Sequence, residues 1–246
     1  MNDQAAIFDA IVQRRRSMRI YDAKAPFDTE AVRRSIRRAM LAPSSSNMQL
    51  WEFYHITNSK QIADIARFCM NQNAARTARE LVIIAVPKGK YKKRAHANLE
   101  FHHARYGNAP METLDLRAKR KLQYFSRLMP MYYFQDWFGI SGYVRKLIVA
   151  VASLWRPVVW QVGKQDIQVV CHKSAALAAQ TFMLSMTAEG YATCPMEGFD
   201  SVRLRRYLKL PRSTEFNMII SCGVATEEGI YHDRFRVPFE EVYVQL

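Results

Sequence analysis

The chain of 246 residues is short of acids: 22 Asp and Glu stand against 36 Lys and Arg, a formal net charge of +14. That excess attracts something anionic, whether a phosphate-bearing cofactor, an acidic membrane surface or nucleic acid. Cysteine is scarce as well. Cys69, Cys171, Cys194 and Cys222 are far apart and form no CxxC pair, which suggests neither a zinc site nor a disulfide framework and fits a reducing, cytoplasmic compartment. No uncharged apolar run reaches the ~18 residues that spanning a bilayer requires. The N-terminal stretch around Asp3 and Asp9 lacks the basic and long apolar regions of a secretory signal. There is no GxGxxG fingerprint and no P-loop, so neither a Rossmann dinucleotide domain nor a phosphate-cradling loop of that type is indicated. A catalytic triad, a metal-ligand cluster, internal repeats and low-complexity tracts are also missing. What is present is ordinary for a globular protein, at 49% hydrophobic and 24% charged residues, and long enough for one sizeable core.

The most informative stretch is Arg14-Arg15-Arg16-Ser17-Met18-Arg19-Ile20-Tyr21, read with Pro43-Ser44-Ser45-Ser46-Asn47-Met48-Gln49-Leu50-Trp51. Ala6, Ile7, Ala10 and Ile11 recur at helical spacing over residues 3–15, so a first helix delivers the arginines at its C-terminal end, where cations suit the dipole. Guanidinium forks bind phosphate bidentately, and the cluster is either an anion seat or a solvated basic face. Asp28 or Thr29 caps a second helix with Val32, Ile36, Ala39 and Met40 on one face and Arg33, Arg34, Arg37 and Arg38 in solvent on the other. Pro43 ends that helix, and Ser44–Asn47 is a loop of locally hydrogen-bonding side chains.

Farther on, residues 51–56 alternate as a strand, a helix opens at Ser59, and the β-branched run 81–86 is a buried central strand. Asp166 caps a long helix to Glu189 that is apolar nearly all round and must be buried, with Gly190 as its C-terminal cap. Adjacent Cys171 and His172 point about 100° apart on it, which makes them structural rather than a nucleophile and base. A short basic helix, 202–210, and a second central strand, 216–224, precede an irregular tail. His96, His102 and His103 have no carboxylate or cysteine pattern beside them and belong to the surface.

Four motifs in order resemble the nitroreductase family of FMN-dependent oxidoreductases: Arg15-Arg16-Ser17-x-Arg19-x-Tyr21, the Pro43–Trp51 loop, Thr193-Cys194-Pro195-Met196-Glu197-Gly198-Phe199-Asp200, and Arg234-Phe235-Arg236. The likeness covers residues 5–87 and 166–246. It implies an α+β fold with a central mixed β-sheet flanked by helices, as an intertwined homodimer with FMN at the subunit interface. In that case Arg15, Arg16, Ser17, Arg19, Arg234 and Arg236 would hold the phosphate and the pyrimidine end of the ring. Pro43, Ser44, Ser45, Asn47 and Gln49 would approach the flavin from the partner subunit, and Asn71 would lie near it. Glu197 and Gly198 would form the turn whose backbone faces flavin N5, with Pro195 and Met196 also among the cofactor-binding residues. Leu50 departs from the proline usual in the loop motif. The implied reaction is ping-pong transfer of two electrons from NAD(P)H to an organic acceptor such as a nitroaromatic or quinone, with no obligatory catalytic side chain. Within the same fold, an oxidase, a dehydrogenase or a reductive dehalogenase of a dedicated metabolite is the alternative.

The whole chain is read as one domain, 1–246, with an enlarged insertion at 91–165. Residues 116–164 hold nine Lys and Arg against the single acid Asp136, along with ten aromatics. Tyr124, Phe125, Tyr132, Tyr133, Phe134, Trp137 and Phe138 are the candidates for a substrate lid. A short apolar run, Leu147–Trp155, lies between basic residues, the chemistry of a segment resting in a membrane interface. A lid and a peripheral contact on the inner face of an anionic membrane, with a hydrophobic acceptor arriving from the lipid, both remain open. A third reading, a basic membrane-surface or nucleic-acid-binding protein without turnover, has no recognised nucleic-acid motif behind it.

Overall fold

The computed structural model describes residues 2–136 and 138–246, so Trp137 of the expected lid lies outside the described residues. Asn2 caps α1 (Asp3–Arg14), and Asp28 caps α2 (Thr29–Ala39) by accepting from the Glu30 N–H. β1 (Glu52–Ile56), α3 (Ser59–Phe68), the single turn α4 (Asn73–Arg76) and β2 (Glu80–Pro87) follow. Residues 91–165 contain α5 (Tyr91–Arg105), α6 (Leu116–Gln123), a π-turn at Tyr124–Leu128, α7 (Met129–Tyr133) and α8 (Ile140–Ala152). The long helix α9 (Lys164–Ala188) then leads to β3 (Ala192–Met196), α10 (Ser201–Tyr207), β4 (Thr214–Gly223) and the short α11 (Phe239–Val242).

The strands form one sheet in the order β1-β2-β4-β3. All three pairings are antiparallel. The parallel component expected of a mixed sheet is a single isolated bridge, Ser17 to Thr193. Every residue of β2 is buried, and successive side chains alternate between two cores. Val82, Ile84 and Val86 join Phe182 and Met186 of α9 on one face, while Leu81, Ile83 and Ala85 meet Ile65 of α3 and Leu204 of α10 on the other. β3 is an edge strand, which is why it accommodates Pro195 without losing a needed ladder donor. The α+β architecture is as expected from the sequence.

Three expectations change in detail. α9 starts at Lys164 with Gly163 as N-cap, and the Asp166 carboxylate turns back to accept from the Gly163 N–H at 3.0 Å. In a single chain only one side of α9 is buried; positions 169, 173, 177 and 180 trace an exposed stripe that includes Val169 and Leu177. Nor is the arginine face of α2 all free in solvent. Arg34 and Arg38 hold Glu189 at 2.7 and 2.5 Å, tying α2 to the end of α9 and pulling the Glu189 carboxyl down to about 2.

The candidate lid divides. Phe125 and Tyr133 are buried with α9 in the main core, whereas Phe134 and Phe138 are exposed. α8 buries only Gly142, which lies so close to the next segment that a Cβ would meet the Lys164 nitrogen at 3.1 Å. Arg145 holds α8 in place by donating to the carbonyls of Val162, Phe134 and Met131 at 2.9, 3.0 and 3.3 Å.

Candidate functional site

Tyr21 fixes the arginine segment to the sheet. Its hydroxyl donates to the Ser221 carbonyl at 3.0 Å and contacts Ser221 Oγ at 2.8 Å, and its ring covers Gly223 so closely that a Cβ there would sit 2.6 Å from Tyr21 Cδ1. The Met18 N–H then bonds the Thr193 carbonyl at 3.0 Å, and the Arg19 N–H bonds the Gly229 carbonyl at 2.8 Å. These anchors bring the end of α1 beside the segment following β4.

The result is a cleft of about 260 Å³ lined by Arg15, Arg16, Ser17, Arg19, Arg234 and Arg236, with Asp233 the one acid among its lining residues. Arg234 Nη2 donates to the carbonyls of Gln13 and Arg15 at 2.6 and 2.8 Å, and Arg16 Nη2 to that of His232 at 2.6 Å. Two segments more than 200 positions apart are thereby laced together. The Arg15 guanidinium has its pKa lowered, first by burial and then by the charges of Arg234 and Arg236. A cationic cluster in mutual repulsion is stabilised by an anion, and phosphate matches the fork geometry. Arg14, counted with this cluster in the sequence, instead donates to the Thr187 carbonyl at the end of α9. Thr193, which bridges Ser17 of this cleft, has its Oγ1 buried without a hydrogen-bond partner among the described residues.

Of the four candidate cofactor-binding residues after α9, Pro195 and Met196 belong to β3 and the Met196 side chain is in the core, so Glu197 and Gly198 are the two that stand beyond the strand. Open space surrounds the position a Gly198 Cβ would take. Gln72 Nε2 donates to the Gly198 carbonyl at 3.3 Å, and Asn73 Nδ2 to the Tyr231 hydroxyl at 3.0 Å. Asn71, the residue singled out from sequence, has φ +54° and lines a different groove with Arg67, Arg76 and Thr77. Its neighbours Gln72 and Asn73 are the ones that reach towards the cleft side.

The Pro43–Trp51 loop is built about a tight turn in which Ser46, Asn47 and Gln49 all have left-handed backbones, φ +52°, +52° and +47°. Each costs on the order of 1 kcal/mol, and such strain collects at functional sites. Ser44 Oγ accepts from the Gln49 N–H at 3.1 Å, and Ser174 Oγ of α9 accepts from Ser45 at 3.2 Å. Asn98 of α5, which nothing in the sequence singled out, clamps Asn47 reciprocally: Asn47 Nδ2 donates to Asn98 Oδ1 at 2.9 Å, and Asn98 Nδ2 to the Asn47 carbonyl at 3.0 Å. The Tyr124 hydroxyl meets Ser46 Oγ at 2.5 Å. Leu50, in the place of a usual proline, is buried in the core, as are Met48 and Trp51.

These two sets do not meet within one chain. The loop is attached to α9 at Ser174 and the arginine segment at Thr187, 13 residues apart, or roughly 20 Å along a helix. Elsewhere on α9, burial pushes the Cys171 thiol up to about 12, and His172 turns to Glu215 at 3.0 Å, in keeping with a structural pair. Among the expected surface histidines, His96 is exposed beside Glu100, but His102 stacks on Phe125 and His103 contacts the Ala109 carbonyl at 3.1 Å.

Comparison with known proteins gives a family-model match, described as the nitroreductase family, over residues 12–224. Protein DrgA of Synechocystis is 28% identical over 224 residues, covering 90% of this chain and 85% of the relative. YdgI of Bacillus subtilis, which carries an NAD(P)H nitroreductase name, is 23% identical over 239 residues, covering 96% and 95%. Among solved structures, a nitroreductase-type protein of Exiguobacterium sibiricum in complex with FMN has a TM-score of 0.66 at 21% identity, covering 97% of each chain.

Proposed function

Because the chain belongs to the nitroreductase family, we propose that it is an FMN-dependent oxidoreductase passing two electrons from NAD(P)H to an organic acceptor, the two visiting in turn. The observation that carries this is the convergence of five guanidinium groups on one small cleft with a single acid in its lining. That cleft fits a phosphomonoester. The orphaned hydroxyl of Thr193, whose backbone bridges Ser17, and the open space around Gly198 suit the remainder of the group. The FMN complex of the Exiguobacterium protein and the NAD(P)H name of YdgI support the same cofactors. When bound, FMN supplies the redox chemistry. This chain's arginines would neutralise its phosphate, Arg19 lies over the Tyr231 ring at 5.4 Å to brace the cleft's other wall, and the Glu197–Gly198 backbone would donate to the ring.

The roughly 20 Å between the arginine cleft and the Ser44–Gln49 turn supports a homodimer in which each turn completes the partner's site. Ile7, Phe8 and Val12 of α1, together with Val169 and Leu177 of α9, are exposed apolar surface that a second copy would cover.

A second element of the reading concerns location. On α8 and beyond, Leu147, Ile148, Val151, Leu154 and Trp155 are all exposed, with Lys146 and Arg156 beside them. No helix of the described residues is long and apolar enough to cross a membrane. An apolar face of this length with flanking cations supports peripheral docking on the inner surface of an anionic bilayer, where a hydrophobic acceptor is available.

An absorbance spectrum followed anaerobically as NADH and then NADPH is added tests the enzyme reading. Bleaching of flavin bands is expected; bands that persist would point to an oxidase or dehydrogenase reduced by its own substrate. Arg15→Ala and Arg236→Ala should each weaken FMN retention by about tenfold or more, and wild-type occupancy in both would remove the phosphate grip. Leu154→Ser/Trp155→Ser should abolish co-sedimentation with phosphatidylserine vesicles; unchanged sedimentation would remove the membrane reading.

A further inference from the structure

Outside the Ser46–Asn47 turn, between α5 and α6, lies a cleft of about 960 Å³. Its cations are Arg105, Arg117, Arg120 and Lys121, and its aromatic lining is His102, Tyr106 and Tyr124, with the buried Phe125 stacked against His102. The His102 ring stacks on Phe125 with centroids 5.3 Å apart and planes 16° from parallel, and Lys121 Nζ stands 5.2 Å from the Phe125 centroid. The one acid in the lining, Asp115, is occupied as the N-cap of α6, accepting from the Ala118 N–H at 2.6 Å. No carboxylate among the described residues forms an ion pair with any of the four cations. Burial, together with the Lys121 and Arg105 charges, lowers the pKa of His102.

Uncompensated cations beside stacked rings are the complement of a planar heterocycle carrying a strongly charged phosphate. The cleft adjoins the strained turn assigned above to the shared cofactor site. A donor with its nicotinamide there has its adenosine end to place nearby. NADH presents only singly charged bridging phosphates, whereas NADPH adds a terminal, nearly doubly charged phosphate on the adenosine ribose. Resting on the NAD(P)H oxidoreductase reading, we propose that this cleft seats the adenosine 2′-phosphate of the donor through Arg117, Arg120 and Lys121, and so selects NADPH over NADH.

The test compares FMN-loaded wild type with Arg117→Glu/Arg120→Glu, whose side chains are on the surface. Anaerobic reduction by each donor should favour NADPH about tenfold or more in wild type, and the variant should lose NADPH efficiency while NADH changes by less than about threefold. Calorimetric binding of adenosine 2′,5′-bisphosphate should weaken about tenfold or more in the variant. Equal use of both donors by wild type, equal loss of both in the variant, or unchanged bisphosphate binding would overturn the assignment. So would a variant that keeps NADPH efficiency but loses turnover of anthraquinone-2-sulfonate, since the cleft would then serve an acidic acceptor. Should neither nucleotide reduce the flavin, the oxidoreductase reading fails by itself. Bisphosphate binding then decides the cleft independently: binding that the variant loses sustains a phosphoadenosine site, and no binding to wild type removes it.

Discussion

Replacing Asn98 with alanine tests whether the strained turn is held by its neighbours or by its own sequence. Asn98 is 7% exposed, and its amide makes three bonds, two with Asn47 and one to the Arg94 carbonyl at 2.9 Å. Alanine leaves the Asn47 carbonyl and side-chain amide without these partners, while the left-handed backbone at Ser46, Asn47 and Gln49 stays as costly as before. Two net hydrogen bonds plus a part-buried Asn47 carbonyl left with only its long bond from Gln49, at 3.4 Å, amount to about 2–3 kcal/mol. In a chain of this size that lowers the melting temperature by roughly 4–12 °C at fixed protein and FMN concentration. Asn98→Asp separates the two bonds, because its carboxylate still accepts from Asn47 Nδ2 yet sets an oxygen against the Asn47 carbonyl. It should therefore be at least as damaging as alanine. Circular dichroism melts read stability, and the rate of flavin reduction reads the turn. An Asn98→Ala protein melting within about 1 °C of wild type would refute the clamp.

The Glu189 carboxylate, held down by Arg34 and Arg38, binds its proton less readily when folded than unfolded. It thus contributes stability above its ordinary value of 4.5 that is lost as pH falls towards about 2. Glu189→Gln should flatten this part of the acid limb of a stability–pH curve; an identical limb in both proteins would show that the pair is not coupled to folding. At Gly229 a Cβ would sit 2.0 Å from Met18 Sδ and 2.5 Å from the Ile20 carbonyl. Gly229→Ala should therefore cost more than about 2 kcal/mol and loosen FMN together, because the Arg19 anchor shifts with it. A soluble, fully flavinated variant with wild-type melting would contradict that packing.

Much of the fold was legible because its signals are local. The β-branched run at 81–86 fell in β2, and the apolar periodicity after Asp166 belongs to α9. β3 was not recognised as a strand because residues 193–200 were read only as a cofactor-facing motif, and the sheet order shows that it is at an edge, where Pro195 is tolerated. The arginine motifs were legible as residue types, and the structure brings both into one cleft. Asn98 gave no warning, being one polar residue on a mostly polar helix whose partner is 51 positions away. Glu189 was equally silent, since its arginines lie 155 and 151 positions earlier. The lid aromatics were grouped by composition. The π-turn at 124–128 and the packing of Phe125 and Tyr133 on α9 then sort them into core and surface, which composition cannot do.

The lacing of Arg234 to Gln13 and Arg15 also sets an order of events during synthesis. The first half of the anion seat emerges from the ribosome early, but its closing arginines follow after more than 200 further residues, a delay on the order of 10–40 s at usual elongation rates. Until then, Arg15, Arg16 and Arg19 are mutually repelling cations with no fixed geometry. An anion held by all five arginines therefore cannot template early folding of this chain; the seat is complete at the end, as the tail closes over the first helix.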